Sequence, residues 1–193
     1  YAYPTIVRQL AEMLRKKAKM DKNSPLYTGV LKKSPLGDLW VASTDYGLAA
    51  IEWSQDEADF GAYLTKRFKR PAQPDPEKVT PALQQLDEYL RGERKAFHLP
   101  IDWSLLRPFQ IQVLQIVFNI PYGQTRTYGD IAYEIGNPRA ARAVGRANAT
   151  NPMPLVIPCH RVIGSDGKLR GYGGGEGLPT KEWLLQMEGA VLT

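Results

Sequence analysis

The hydrophobic pattern of this chain changes period near residue 100, and that change limits the folds open to it. Before it, short runs of β-prone residues alternate with turn chemistry. Tyr27–Lys33 and Leu39–Thr44 flank Ser34-Pro35-Leu36-Gly37-Asp38, a turn composition, so a hairpin is expected. Asp45-Tyr46-Gly47 reads as a second turn and Leu48–Trp53 as a third strand. Residues 56–68 read as a helix, Pro71, Pro74 and Pro76 as a loop, and Thr80-Pro81 as the start of a further helix that ends before Gly92. Ahead of these elements, Ile6, Leu10, Met13 and Leu14 recur at helical spacing over 5–18, and Asp21–Pro25 has the composition of a linker.

After residue 100 the spacing is helical. Pro108 to Asn119 carries Phe109, Val113, Ile116 and Val117 as an expected buried face. Thr127-Tyr128-Gly129-Asp130 has capping-box form, opening a helix that runs to about Ile135. Gly136-Asn137 breaks the chain, and Asn137-Pro138 supplies a cap and a first-position proline for a helix running to about Ala149. Two short helices joined by a tight glycine turn read as a helix-turn-helix. On the second, Arg139, Arg142 and Arg146 fall within about 60° of one another, and Ala140, Val144 and Ala147 form a separate packing stripe. An arginine stripe on a helix of small residues suits a nucleic-acid backbone, and equally suits a solvated surface.

Composition narrows the function classes. At 43% hydrophobic the chain can bury a core, and no apolar run approaches the ~18 residues of a membrane span. The first residues show no signal-peptide pattern, and the chain starts without the Met expected of an untrimmed one. Its net charge of +5 is concentrated at the start, where residues 1–25 hold six basic and two acidic side chains. A single cysteine forbids an internal disulfide and fits a reducing setting, the cytoplasm or, in a eukaryote, the nucleus. With that one cysteine and two histidines, a Cys/His zinc site cannot be built, and no metal or cofactor is expected.

That cysteine lies in Asn151-Pro152-Met153-Pro154-Leu155-Val156-Ile157-Pro158-Cys159-His160-Arg161-Val162-Ile163. A lone cysteine among apolar residues is usually core. Here His160 adjoins it as a ready base, prolines stiffen the approach, and Glu188 lies at the end of a later amphipathic segment from Lys181, where it can orient the histidine. In an extended segment Cys159 and His160 would face opposite ways, so they cooperate only across a turn or through a water. Gly171-Tyr172-Gly173-Gly174-Gly175 can wrap a planar ligand with backbone amides, or be a plain loop.

Pro158-Cys159-His160-Arg161-Val162 resembles the signature of the O6-alkylguanine-DNA alkyltransferases. The likeness extends in order through Ile120-Pro121-Tyr122-Gly123, Thr127-Tyr128-Gly129, Ala140–Gly145, Asn151-Pro152 and Lys181–Leu185 to Glu188-Gly189. It implies an α+β chain. A ribonuclease-H-like α/β domain over 26–100 would follow the segment 1–25 and precede a mainly helical domain over 101–193 with the helix-turn-helix.

The resemblance further implies a monomer acting on double-stranded DNA with O6-alkylguanine, O4-alkylthymine being a second candidate, without cofactor and away from membranes. Cys159 would accept the alkyl group once and irreversibly. His160 would take its proton through a water, with Glu188 orienting His160 and Asn151 holding the turn between helix and cysteine. Arg142 would fill the gap left by a flipped nucleotide, Tyr128 would turn the adjacent phosphate and help to read the guanine, and Thr127, Arg139 and Arg146 would contact the duplex. Pro154, Val162, Tyr172 and Gly173 would line the substrate pocket. Gly173 stands where some members carry a hydroxyl residue, and 176–180 has the look of a small insertion. The rival readings are a binding protein without transfer, a Cys-His hydrolase and a helix-turn-helix regulator. The retained Cys159, single turnover and a lack of palindromic preference would separate the transferase from them.

Overall fold

The computed structural model describes residues 25–190, so the helix expected over 5–18 and most of the linker lie outside the described residues. The N-terminal half is a four-stranded sheet of β1 (Leu26–Ser34), β2 (Gly37–Thr44), β3 (Gly47–Glu52) and β4 (Ala72–Pro74), in the order β3-β2-β1-β4. The hairpins form as the turn residues require, with Gly37 and Gly47 both at positive φ. Alternation along β2 sends Leu39 and Val41 into one core and Trp40 and Ala42 into another, so the sheet is buried on both faces. Helix α1 (Glu57–Phe68), capped by Asp56 accepting from the Asp59 amide, seals one face with Phe60 and Leu64. Helix α2 (Pro76–Leu90) seals the other with Val79, Leu86 and Tyr89.

The structure corrects two expectations here. The proline-rich stretch is not all loop: Ala72–Pro74 pairs in parallel with β1 at the sheet edge, where a proline's missing N–H breaks no further ladder. Helix α2 begins at Pro76, capped by Asp75, and not at Thr80. Thr80 turns its hydroxyl back to the Pro76 carbonyl at 2.8 Å, and Pro81 sits inside the helix.

The second half comprises α3 (Pro108–Phe118), α4 (Tyr128–Glu134), α5 (Ala141–Ala149) and α6 (Leu178–Met187), with β5 (Arg126–Thr127) and β6 (Val162–Ile163) paired in parallel. The buried side of α3 is Ile111, Val113, Leu114 and Val117. Phe109 is exposed and Ile116 half-buried, against expectation, because the apolar residues run nearly all round this helix and its period singles out no face. The α4 capping box forms in both directions. Asn137 makes no side-chain cap: Pro138–Ala140 forms a 3-10 turn and the α-helix starts at Ala141, which puts Arg139 on the turn before it.

One core cluster joins the halves, taking Val41 and Ile51 from the sheet, Leu86 from α2, Leu114 from α3, Val144 from α5 and Ile157 from the cysteine segment. Burial of each such side chain is worth about 1.5–3 kcal/mol. The cysteine segment is thus packed between the sheet and the helix-turn-helix, and the Ile51 amide donates to the Pro152 carbonyl at 2.8 Å.

Candidate active site

The approach to Cys159 is a fixed turn. Asn151 accepts from the Met153 amide at 3.0 Å and donates through Nδ2 to the Ile157 carbonyl at 2.8 Å, which folds 151–157 back on itself. Leu155 takes a left-handed φ of 71° within that fold. Residues Cys159–Arg161 then form a 3-10 turn, so the cysteine and the histidine are not successive residues of an extended strand. Asn148 of α5 donates to the Cys159 carbonyl at 3.1 Å, and the β5–β6 ladder ties Val162 and Ile163 to the entry of α4. Helix α5 and the cysteine segment are therefore bonded directly.

Behind the cysteine, Glu188 gathers donors. His160 meets its Oε1 through Nε2 at 3.0 Å, and Arg161 donates to both carboxylate oxygens at 2.7 and 2.8 Å. The Gly123 amide donates to Oε2 at 3.2 Å, and the Tyr89 hydroxyl to Oε1 at 2.5 Å. Gly123 has φ 74°, and a Cβ there would lie 2.9 Å from the Glu188 carbonyl oxygen, so the turn after Pro121 needs glycine to close on this residue. The Tyr122 hydroxyl donates to the Met187 carbonyl at 3.1 Å and completes the clasp.

Charge follows from this packing. Burial opposes ionisation of Glu188, but hydrogen bonds from His160 and Arg161 outweigh it and hold the carboxyl well below its usual range. Burial lowers the His160 pKa, with Glu188 opposing, so the resting imidazole is neutral. With Nε2 turned to an ionised carboxylate, the proton sits on Nε2 and the lone pair on Nδ1, a buried atom without a protein hydrogen-bond partner among the described residues. Burial pushes the Cys159 thiol up, while the Asn151 side chain and Lys181 pull the other way. Lys181 is fully buried, donates to the Val162 and Arg170 carbonyls at 2.6 and 3.1 Å, and is brought down to about 8. The site thus holds a neutral thiol, a neutral base and a fixed anion behind the base. It can generate a thiolate as it is used, without storing one.

Two sequence comparisons bear on this geometry. Residues 108–190 match the 6-O-methylguanine DNA methyltransferase DNA-binding domain, and residues 26–103 match the ribonuclease-like domain of the same family. The chain belongs to the 6-O-methylguanine DNA methyltransferase family. It is 41% identical over 160 residues to the constitutive methylated-DNA–protein-cysteine methyltransferase of Bacillus subtilis, across 81% of this chain and 92% of that one. It is 42% identical over 162 residues to the Methanosarcina barkeri methylated-DNA–protein-cysteine methyltransferase, across 81% and 93%. Among solved structures, the Mycobacterium tuberculosis protein OGT in complex with DNA superposes with a TM-score of 0.70 at 39% identity, covering 84% of this chain and 92% of that one.

In this family member the expected site residues fall into two groups. Cys159, His160, Glu188 and Asn151 come together as described, with Val162 buried just after the turn. A cavity of about 100 Å³ adjoins Cys159, lined by Pro154, Asn151, Tyr172 and Gly173 and, from the N-terminal half, by Glu52 and Trp53. Outside it a cleft of about 670 Å³ opens between the helix-turn-helix and the glycine loop, lined by Tyr128, Arg142, Gly145, Arg170, Tyr172 and Gly173. Arg139, Arg142 and Arg146 are all exposed. The Tyr128 ring packs beside Gly145, where a Cβ would be 3.8 Å from it. Thr127 spends its hydroxyl on the helix cap, accepting from the Asp130 amide at 3.1 Å. Gly174 is a close-approach glycine, since a Cβ would meet Trp53 at 2.7 Å.

Sequence reasoning missed five participants. Arg161 and Lys181 lay inside quoted motifs without a role, and Asn148 and Arg170 lay beside them. Tyr89 carried no signal beyond an apolar helix position. Among the described residues no helix is long and apolar enough to cross a membrane, and no group of three or more His, Cys, Asp or Glu is placed to hold a metal.

Proposed function

We propose that this protein repairs DNA by moving the alkyl group of O6-alkylguanine in a duplex onto its own Cys159, once per molecule. The observation that carries this reading is the relay behind the thiol. A neutral His160, with its lone pair free on Nδ1 and its Nε2 proton on ionised Glu188, adjoins the chain's single cysteine, whose small cavity shares Tyr172 and Gly173 with a cleft faced by exposed arginines. His160 takes the Cys159 proton through a bridging water, and Glu188 stabilises the imidazolium that results. The sulfur attacks the alkyl carbon in line, an S–C bond forms, the C–O6 bond breaks, and the guanine leaves with its electron pair. Tyr128, kept protonated by burial, donates to the departing base. The thioether has no hydrolytic route back, so the reaction is stoichiometric.

The alkyl carbon lies inside the base stack, so the nucleotide must rotate out to reach the cleft. Arg142 on α5 fills the space left, Tyr128 and Thr127 meet the adjoining phosphate, and Arg139 and Arg146 hold the backbone. Arg170, held by Asp166 at 2.7 Å, adds a cation on the opposite wall of the cleft. Pro154, Val162, Tyr172 and Gly173 surround the alkyl group and base. Intact mass spectrometry after mixing with duplex DNA containing O6-methylguanine tests the reading. A single methyl added to the wild type and none to Cys159→Ala is expected. Repeated turnover without a mass gain would point to a hydrolase instead.

A further inference from the structure

We infer that Tyr89, from the N-terminal half, is a positioning residue of the relay that fixes the His160 tautomer through paired contacts to Glu188 and the imidazole. This rests on the reading of Cys159 as acceptor and of His160 as its base.

The placement is specific. Tyr89 lies near the end of α2, within the stretch matched to the ribonuclease-like domain, 71 residues before His160 and 99 before Glu188. Its side chain is fully buried. Its ring is held by Phe97, with centroids 5.1 Å apart, and edge-on by Tyr122 at 6.3 Å. That packing aims the hydroxyl at one point, 2.5 Å from Glu188 Oε1 and 3.3 Å from His160 Nε2.

A phenol has one proton and two acceptor lone pairs. Burial and the neighbouring Glu188 charge push its ionisation well above the usual 10, so the proton stays on. That proton goes to the carboxylate, the strongest acceptor within reach. The tyrosine oxygen then faces Nε2 as an acceptor only. His160 Nε2 thus sees two acceptors, Glu188 Oε1 at 3.0 Å and Tyr89 Oη at 3.3 Å, and both contacts require Nε2 to carry the hydrogen. With the opposite tautomer, Nε2 would point a lone pair at a carboxylate and at an oxygen whose hydrogen is already committed. Nδ1 would then hold a hydrogen and could not take the cysteine proton. The ribonuclease-like half, which carries none of the nucleophile or recognition residues, in this way supplies a constraint on the chemistry.

Tyr89→Phe keeps the ring and removes only the oxygen. Histidine is present at just two positions, the exposed His98 and the buried His160, so ¹⁵N-labelled imidazole NMR of the unreacted protein separates the two sites. The wild type is expected to show His160 protonated on Nε2 alone, and Tyr89→Phe a measurable minor share protonated on Nδ1, because Glu188 Oε1 loses one of the donors that hold it against Nε2. The single-turnover rate with free O6-benzylguanine should fall on the order of tenfold, the scale of one lost hydrogen bond. Lost rate with an unchanged tautomer would mark a merely structural role, and a changed tautomer with unchanged rate would mark an idle contact. Either result overturns the inference. A wild-type His160 protonated on Nδ1 overturns it without any variant, should Tyr89→Phe fail to fold. Failure of the wild type to take up the alkyl group at all would instead sink the transferase reading itself.

Discussion

Glu188 carries a buried charge bound from several sides. It is buried and ionised, with Arg161 bound to both of its oxygens. Arg161 is itself buried and sends its remaining nitrogen to the Ile120 carbonyl at 2.5 Å. Removing one partner of such a pair leaves the other charge uncompensated, at a typical cost of about 3–5 kcal/mol. Glu188→Gln should therefore lose stability on that scale at pH 7. The pH dependence has a definite sign. The folded carboxyl titrates well below its ordinary value of 4.5, so its contribution is fully present above 4.5 and is lost as pH falls through that value towards the folded one. Denaturant melts of wild type and variant should thus converge as pH drops below 4.5, and a gap that stayed constant would deny Glu188 this role. The cysteine, the histidine and this glutamate were legible in the sequence because each is a chemical type at a telling position. Tyr89 and Lys181 were not, since their roles depend on burial and on partners from distant segments that no local pattern encodes.

Elements divide along the same line. Turn and cap chemistry is local, so the hairpin at Ser34–Asp38, the third strand and the Thr127 capping box were readable from a few residues each. The β4 strand was not, because its pairing with β1 is made across some 45 residues of chain and its prolines speak for a loop. The arginine stripe was readable too, although Arg139 belongs to a 3-10 turn and not to the α-helix. On α5 proper, Arg142 is exposed and lines the cleft, while Val144 and Ala147 on the other side are buried. Under the proposed function a side chain in that place acts on the opened duplex and has little to give a free base. Arg142→Ala should slow transfer from O6-methylguanine in duplex about tenfold or more beyond any slowing with free O6-benzylguanine, since base opening costs a few kcal/mol. Single-turnover rates on the two substrates give the ratio directly, and equal losses on both would point to a damaged site instead of a missing wedge.

At the scale of the whole molecule, Cys159, the proposed acceptor, sits where three connections meet. Its carbonyl accepts from Asn148 of α5, its segment is folded by Asn151, and Pro152 is bonded to the sheet through Ile51. The residue is 5% exposed, so a group added to sulfur must enter packed space or the small cavity beside Pro154 and Tyr172. Gly174 cannot yield inward, because Trp53 already touches the position a Cβ would take. The adduct also ends any hydrogen bonding by the thiol and abolishes the thiolate that Lys181 favours. Overpacking a filled site typically costs ~1–3 kcal/mol. A methyl group falls at the low end because the cavity of about 100 Å³ can take part of it, and a benzyl group falls at the high end. At about 2–4 °C per kcal/mol for a chain of this size, the methylated protein should melt a few degrees below the unmodified one and the benzylated protein lower still. Because Asn148 and Asn151 carry the displacement to α5, affinity for undamaged duplex should change in the same order. Paired melting curves before and after stoichiometric reaction, with Cys159→Ser carried through the same treatment, measure the effect. Superimposable curves for all three states would mean that the site absorbs the adduct without strain and that the bonded path from cysteine to recognition helix transmits nothing.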